Sequence, residues 1–343
     1  RRPRHLTRAR AVVGSWNSTS PSVSGQEMTT SLPSRRLRGA CVLWLALSGA
    51  STSSSLAQPS RTQELSGTLV RIWADPGPAG GEATEALHVL SSDGRSSQPV
   101  VVPADVAAAH GGVERLVGQR VTIRLSDPSS LASPGQAAPM PAAASLALAA
   151  PVAAVAAPVT NDGRYRWVAI PCRFAGNPSE PVAPSLLGAV LGDADPGLGP
   201  YFAEMSFGTY RIQGEAVGWQ QLPRPQGAYV RDTNGDGQVE ADLNALRNDC
   251  LDAADPVVDF STVDGVVLVF NDTLGCCAYG GGGTVSKDGV TNRSIGVTWH
   301  PPGWATWPQV VAHEIGHTLG LGHLLDTRTT LSRLDPMVPS ASC

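Results

Sequence analysis

His313, Glu314, His317 and His323 are the residues of this chain whose types and spacing could do chemistry. On a helix, His313 and His317 stand one turn apart on the same face, so both can reach one metal ion. Glu314 projects about 100° round the helix from His313, too far to ligate beside the pair but placed to touch a water held by that ion. Gly320 can take the left-handed conformation that ends a helix, and the chain can then turn to bring in His323 as third ligand. Three neutral nitrogens and one open position form the donor set of a catalytic zinc, not of a closed structural one. With 7 histidines in 343 residues, a chance match to the first three residues is expected on the order of once per hundred such sequences. The added glycine and third histidine make chance roughly a thousandfold rarer, which disfavours a metal-free helix that merely carries histidines.

A helix must position these groups, and the flanking residues supply one. Thr306 followed by Gln309 has the form of a capping box, and Pro308 suits a first turn because its missing N–H would go unpaired there. Val311, Ile315 and Leu319 recur every four residues and are expected to face the core, which leaves the histidines another face. Gly320 and Gly322 stop the helix soon after Leu319. Upstream, residues 164–174, 210–217, 265–270 and 294–299 read as strands, with 265–270 a continuous apolar run suited to a buried centre. Residues 198–205 and 241–254 read as helices. Interleaved strands and helices ahead of the metal helix fit an α/β (α+β) domain with a mixed sheet. The four glycines 280–283 read as a flexible loop near the site. They lack the strand before, helix after and lysine pair of a phosphate cradle.

The pattern His-Glu-x-x-His-x-x-Gly-x-x-His from His313 to His323 resembles that of the metzincin zinc endopeptidases. Residues 201–208 and the glycine-rich stretch look like the gametolysin-like or immune-inhibitor-like secreted branches of that group. The resemblance spans residues 163–343. It implies a mixed twisted sheet with an active-site helix, Zn²⁺ on His313, His317 and His323, and Glu314 as general base. It also implies a methionine in a tight turn beneath the metal, for which Met337 is the candidate. Metzincin substrates lie extended beside an edge strand, and the strand holding residues 296–299 is a candidate edge. Two rival classes remain: a secreted zinc amidase acting on cell-wall peptides, and a catalytically silent adhesin or binding module. The second would be expected to lose Glu314 or a histidine, and all four are present.

Compartment follows from the N-terminal half. Met28 is the first methionine; Arg35, Arg36 and Arg38, an apolar run over 40–47 and the small residues ending Ser55-Leu56-Ala57 form a secretory signal peptide over 28–57. The run is about half the roughly 20 apolar residues a transmembrane helix needs. Residues 1–27 are expected to be upstream sequence before the true start. Residues 58–126 read as a small β-rich unit (strands at 68–73, 87–90, 99–102 and 120–125), a propeptide or accessory domain. The Ala/Pro-rich stretch 127–162 reads as a linker. Residues 163–343 form the catalytic region. The chain ends six residues after Met337, so a truncated C-terminus is one reading of that end.

Removing residues 1–57 takes eight Lys/Arg and one acid from totals of 25 and 29, leaving 17 basic and 28 acidic residues and a formal charge of −11. Such an acidic surface argues against nucleic acid or an anionic membrane as partner and fits a soluble extracellular monomer acting on extracellular proteins or peptides. Cys172, Cys250, Cys276, Cys277 and Cys343 then remain, an odd set whose pairing the sequence leaves open. Asp232, Asn234 and Asp236 with Gly237 match the first half of a calcium loop, and Asp242 lies one residue short of the closing acid position, so Ca²⁺ is a candidate second ion. Asn271 and Asn292 head glycosylation sequons. His300, just ahead of the metal helix, is a candidate cleft residue or a structural one.

Overall fold

The computed structural model describes residues 63–74, 84–126, 140–149, 163–233, 235, 237, 239–275 and 278–323, all within the compact unit Gln58–Cys343. The signal segment, Asn234, Asp236, Cys276, Cys277, Met337 and Cys343 lie outside them.

The first half builds a β-rich layer: β1 (Glu64–Ala74), β2 (Thr84–Leu90) and β3 (Ser97–Val100), short helices α1 (Ala104–Ala108) and α2 (Val113–Leu116), then β4 (Arg120–Leu125) and β5 (Ala143–Leu148). β1 pairs antiparallel with both β2 and β4, and β5 with β4. Part of the Ala/Pro-rich stretch is thus strand: Ala143 and Leu146 are buried and join Leu69, Val89, Leu116 and Ile123 in a core of this layer. The two short helices went unread in the sequence because each is a turn or so long, below the reach of any periodicity.

The second half comprises β6 (Arg164–Arg173), α3 (Pro184–Val190), α4 (Leu198–Met205), β7 (Arg211–Ala216), the short strands β8 (Gln220–Gln221), β9 (Val230–Arg231) and β10 (Glu240–Ala241), and α5 (Leu243–Ala254). It continues through β11 (Gly265–Phe270), β12 (Tyr279–Val285), β13 (Arg293–His300) and α6 (Pro308–Thr318). β7, β6, β11 and β13 lie side by side in that order and parallel, and β12 adds antiparallel to β13. β11 is buried at every residue. Val266, Leu268 and Phe270 face a core shared with Leu246, Cys250 and Leu251 of α5, while Val267 and Val269 face Val311 and Ile315 of α6 and Leu187 of α3. Both faces are covered, which is why this strand reads as an unbroken apolar run. Cys172 at the end of β6 and Cys250 in α5 are joined as a disulfide beneath that sheet.

Three expectations are corrected here. The glycines 280–283 are not a flexible loop but the body of β12. A Cβ on Gly280 would sit 2.2 Å from the Glu314 carbonyl oxygen, one on Gly281 2.4 Å from that of Arg71, and one on Gly283 2.7 Å from Val297 Cγ2. Glycine is there because neighbouring chain comes too close for a side chain. The strand with residues 296–299 is no edge, since β13 is flanked by β11 and β12. Asn271 is a poor glycan acceptor: it is buried, its Nδ2 donates to the Asn177 and Ser179 carbonyls, and its Oδ1 accepts from the Phe174 N–H.

Candidate metal centre

α6 begins at Pro308 in the first turn, with Trp307 as N-cap. The expected capping box does not form, because Thr306 closes a preceding 3-10 turn and donates its hydroxyl to the Gly303 carbonyl at 2.7 Å. Val311 and Ile315 face the core as expected, but Leu319 is 44% exposed. The reason is the helix end: Leu319 is the C-cap, and Gly320 follows at φ 85°. The Gly320 N–H donates to the His317 carbonyl at 3.0 Å and the Leu321 N–H to that of Gly316 at 3.1 Å. That is a Schellman turn, which satisfies the last carbonyls and reverses the chain.

This turn assembles the site. His313, Glu314 and His317 are buried on α6 and His323 is half-buried just after it. The imidazole centroids lie 4.6 Å (His313–His317), 4.5 Å (His317–His323) and 5.2 Å (His313–His323) apart. One ring nitrogen from each falls within 4.8 Å of the others. His317 Nδ1 lies 2.8 Å from the Leu321 carbonyl, and only a protonated Nδ1 can donate to it. The hydrogen bond therefore directs the basic Nε2 toward the other imidazoles, as it does in histidine metal ligands. His317 Nε2 and His323 Nε2 are 3.2 Å apart. Two nitrogens at 2.0–2.1 Å on a tetrahedral ion would be separated by about 3.3 Å. The donor set and its spacing fit zinc.

β12 lies against this helix. Gly280 contacts it through the Glu314 backbone, and neighbouring Tyr279 is buried enough that desolvation first, then the Glu314 and Glu240 carboxylates, push its phenol up to about 12. Tyr279 thus stays a neutral donor at any physiological pH. The sequence placed the glycines 280–283 near the site but as a loop, not as a strand that packs on α6. His300 is fully buried at the end of β13, its Nε2 2.9 Å from Thr298 Oγ1, so it is a structural residue rather than part of the histidine group.

Of the candidate calcium residues, Asp232 and Asp242 lie among the described residues and hold the local backbone. Asp242 caps α5, its Oδ1 accepting the Ala245 N–H at 2.9 Å. Asp232 uses both oxygens on the backbone, accepting from the Gly235 N–H at 2.6 Å and the Gly237 N–H at 2.9 Å. Glu240 closes the same turn through Thr233.

A mixed sheet, a helix carrying two buried imidazoles and a third imidazole delivered by the turn after it are consistent with a metzincin-like protease domain. The sequence model of metallo-peptidase family M12B, reprolysin-like, matches residues 228–324, a span that contains α5, β11 to β13, α6 and all three histidines. It covers less than a third of the chain. This similarity supports a zinc-dependent peptidase acting on protein or peptide. No curated protein matches the chain. Among the described residues no helix is long and apolar enough to cross a membrane.

Proposed function

We propose that this protein is a secreted zinc endopeptidase, nearest in kind to the gametolysin-like or immune-inhibitor-like branches, that cuts extracellular proteins as a monomer. The observation that carries the reading is the convergence of His313, His317 and His323, with His317 Nδ1 tied to the Leu321 carbonyl so that Nε2 faces the other imidazoles. Zinc held there would lower the pKa of a water toward neutrality and polarise the scissile carbonyl. Glu314 takes the proton from the attacking water and returns it to the leaving amine, and its full burial keeps that proton from bulk solvent. An extended peptide binds by adding a strand to β12, the sheet strand that touches α6 through Gly280. Met337 is assigned to the turn beneath the metal, and the layer ahead of residue 126 to a propeptide that makes the enzyme a zymogen.

Glu314→Gln tests the chemistry. The amide keeps size and metal but accepts no proton, so peptide turnover should fall at least about 100-fold with zinc retained. Unchanged turnover by the zinc-loaded variant removes Glu314 from its role. Cleavage of cell-wall peptides but not casein, abolished by a chelator, would transfer the site to the amidase class. Zinc binding without hydrolysis of either would leave a binding module.

A further inference from the structure

The edge an extended peptide needs is already taken. β12 has β13 on one side and β1 on the other, with Ile72 opposite Gly281, Trp73 opposite Gly280 and Ala74 opposite Tyr279. Residues opposite one another in an antiparallel pair project to the same face. Gly280 faces α6, where a Cβ would stand 2.9 Å from His317 Cβ, so Trp73 projects toward the histidines through the room that Gly280 leaves. Its indole stacks on His317 with centroids 5.1 Å and planes 13° apart, and meets His323 edge-on at 5.7 Å.

We propose that β1 is a built-in competitor of the peptide: it fills the β12 edge and lays Trp73 over the metal-site imidazoles, holding the enzyme latent until the segment is withdrawn. The proposal rests on the peptidase reading above and names the device behind its latency. An indole N–H is only a donor and ligates no metal, so the block is steric and the histidines can still be loaded with zinc.

Four features suit a segment built to leave. β1 pairs with β12 over three positions, but with β2 over seven and β4 over five, so its anchorage is in its own layer. That layer keeps its own apolar core when it departs. Trp73 is braced from the same side: the Arg71 guanidinium lies 5.4 Å from its ring centroid and is held by Glu114 at 2.8 Å and Glu85 at 3.5 Å. The first-half layer also packs incompletely on the strands and helix next to it, with a cavity of about 570 Å³ between Arg71, Glu114, Gly282, Ile295, His317 and Gly320.

A second grip on the opposite face is polar, as in transient rather than obligate interfaces. The turn after β2 offers its Gly94 carbonyl to Arg247 Nη2 at 2.5 Å and its Arg95 carbonyl to Asn244 Nδ2 at 2.9 Å, and Arg95 Nη1 reaches Asp252 at 3.1 Å. Arg247 is 2% exposed beneath this turn, and desolvation pushes it down to about 10. Withdrawal returns a buried cation to water, which favours the open state.

The test compares zinc-loaded wild-type chain with Trp73→Ala and with Arg95→Glu, an exposed change that turns the Asp252 pair repulsive without touching the site. The probe is a peptide hydroxamate, which adds a strand and a metal-binding group but needs no turnover. Trp73→Ala should bind it at least about tenfold tighter and Arg95→Glu about threefold, with faster hydrogen exchange across residues 279–285 in both. Wild-type affinity and unchanged β12 protection in the folded, zinc-loaded variants overturn the proposal; should Trp73→Ala fail to fold, Arg95→Glu decides alone. Tighter probe binding with no peptide cut by any form upholds the competitor and removes the peptidase reading instead.

Discussion

Gly280→Ala is the sharpest probe of how β12 and the metal helix fit together. Its Cβ would lie 2.2 Å from the Glu314 carbonyl oxygen, 2.9 Å from the Glu314 carbonyl carbon and 2.9 Å from His317 Cβ. Ordinary contact begins near 3.4 Å, so β12 and α6 must part by roughly 1 Å, and both neighbours are backbone or near-backbone atoms that cannot swing away. Overpacking of this kind costs about 1–3 kcal/mol. A displacement near 1 Å in a catalytic frame costs on the order of 100-fold in rate, and disturbed ligand support about 10- to 100-fold in metal affinity. Gly282→Ala is the control two residues along the same strand. Its Cβ would meet only Val70 Cγ1 at 3.5 Å and Val70 Cβ at 3.6 Å, ordinary contact. Restricting the unfolded chain should then leave this variant neutral or more stable by about 0.4–1 kcal/mol. Thermal unfolding of the zinc-free proteins and competition with a chromogenic chelator would measure both terms. Equal Tm and equal zinc affinity in the two variants would refute the close approach on which the site geometry depends.

Other consequences can be measured directly. Replacing Cys172 and Cys250 by alanine opens a loop with a sequence separation of 78, and chain entropy puts the cost at about 4–5 kcal/mol, read from denaturant unfolding. Asp242→Ala should cost about 1 kcal/mol through loss of the α5 cap, equally with and without calcium, whereas a calcium ligand would lose a calcium-dependent increment. Asp252 is subject to desolvation, which raises its carboxyl, but Lys287 at 2.9 Å and Arg95 at 3.1 Å outweigh this and hold it below 3.8. A folded-state value below the unfolded one gives stability that is present above 3.8 and lost as pH falls through the folded value. Hydrogen exchange at residues 91–96 should therefore be flat with pH above that point, after correction for intrinsic rates, and accelerate below it.

Much of the site was written in local sequence, because its parts are local. His313, Glu314 and His317 share one helix, and Gly320 at φ 85° turns the chain within three residues of His323. Spacing along one helix and one turn is all the geometry such a cluster needs. β11 and α4 were likewise legible at their full lengths, since an apolar run and a helical pattern each carry their own signal. Leu319 and Thr306 misled because a periodic residue and a capping pair do not reveal where a helix starts or stops by a single position.

What the sequence determined by itself was the chemistry: which nitrogens converge, which carboxylate stands beside them, and that the frame alternates strand and helix. Only the tertiary structure decided which strand lies against the metal helix and what pairs with it, because pairing joins residues far apart in the chain and leaves no local mark. Glycines 280–283 carry no side chain to announce a strand, and the reason for Gly280, Gly281 and Gly283 lies in α6, β1 and β13 rather than in their neighbours in sequence. Trp73 looked like one more apolar residue of a β-rich segment. Its place on His317, 244 positions away, exists only once β1 has paired with β12 and Gly280 has left it room.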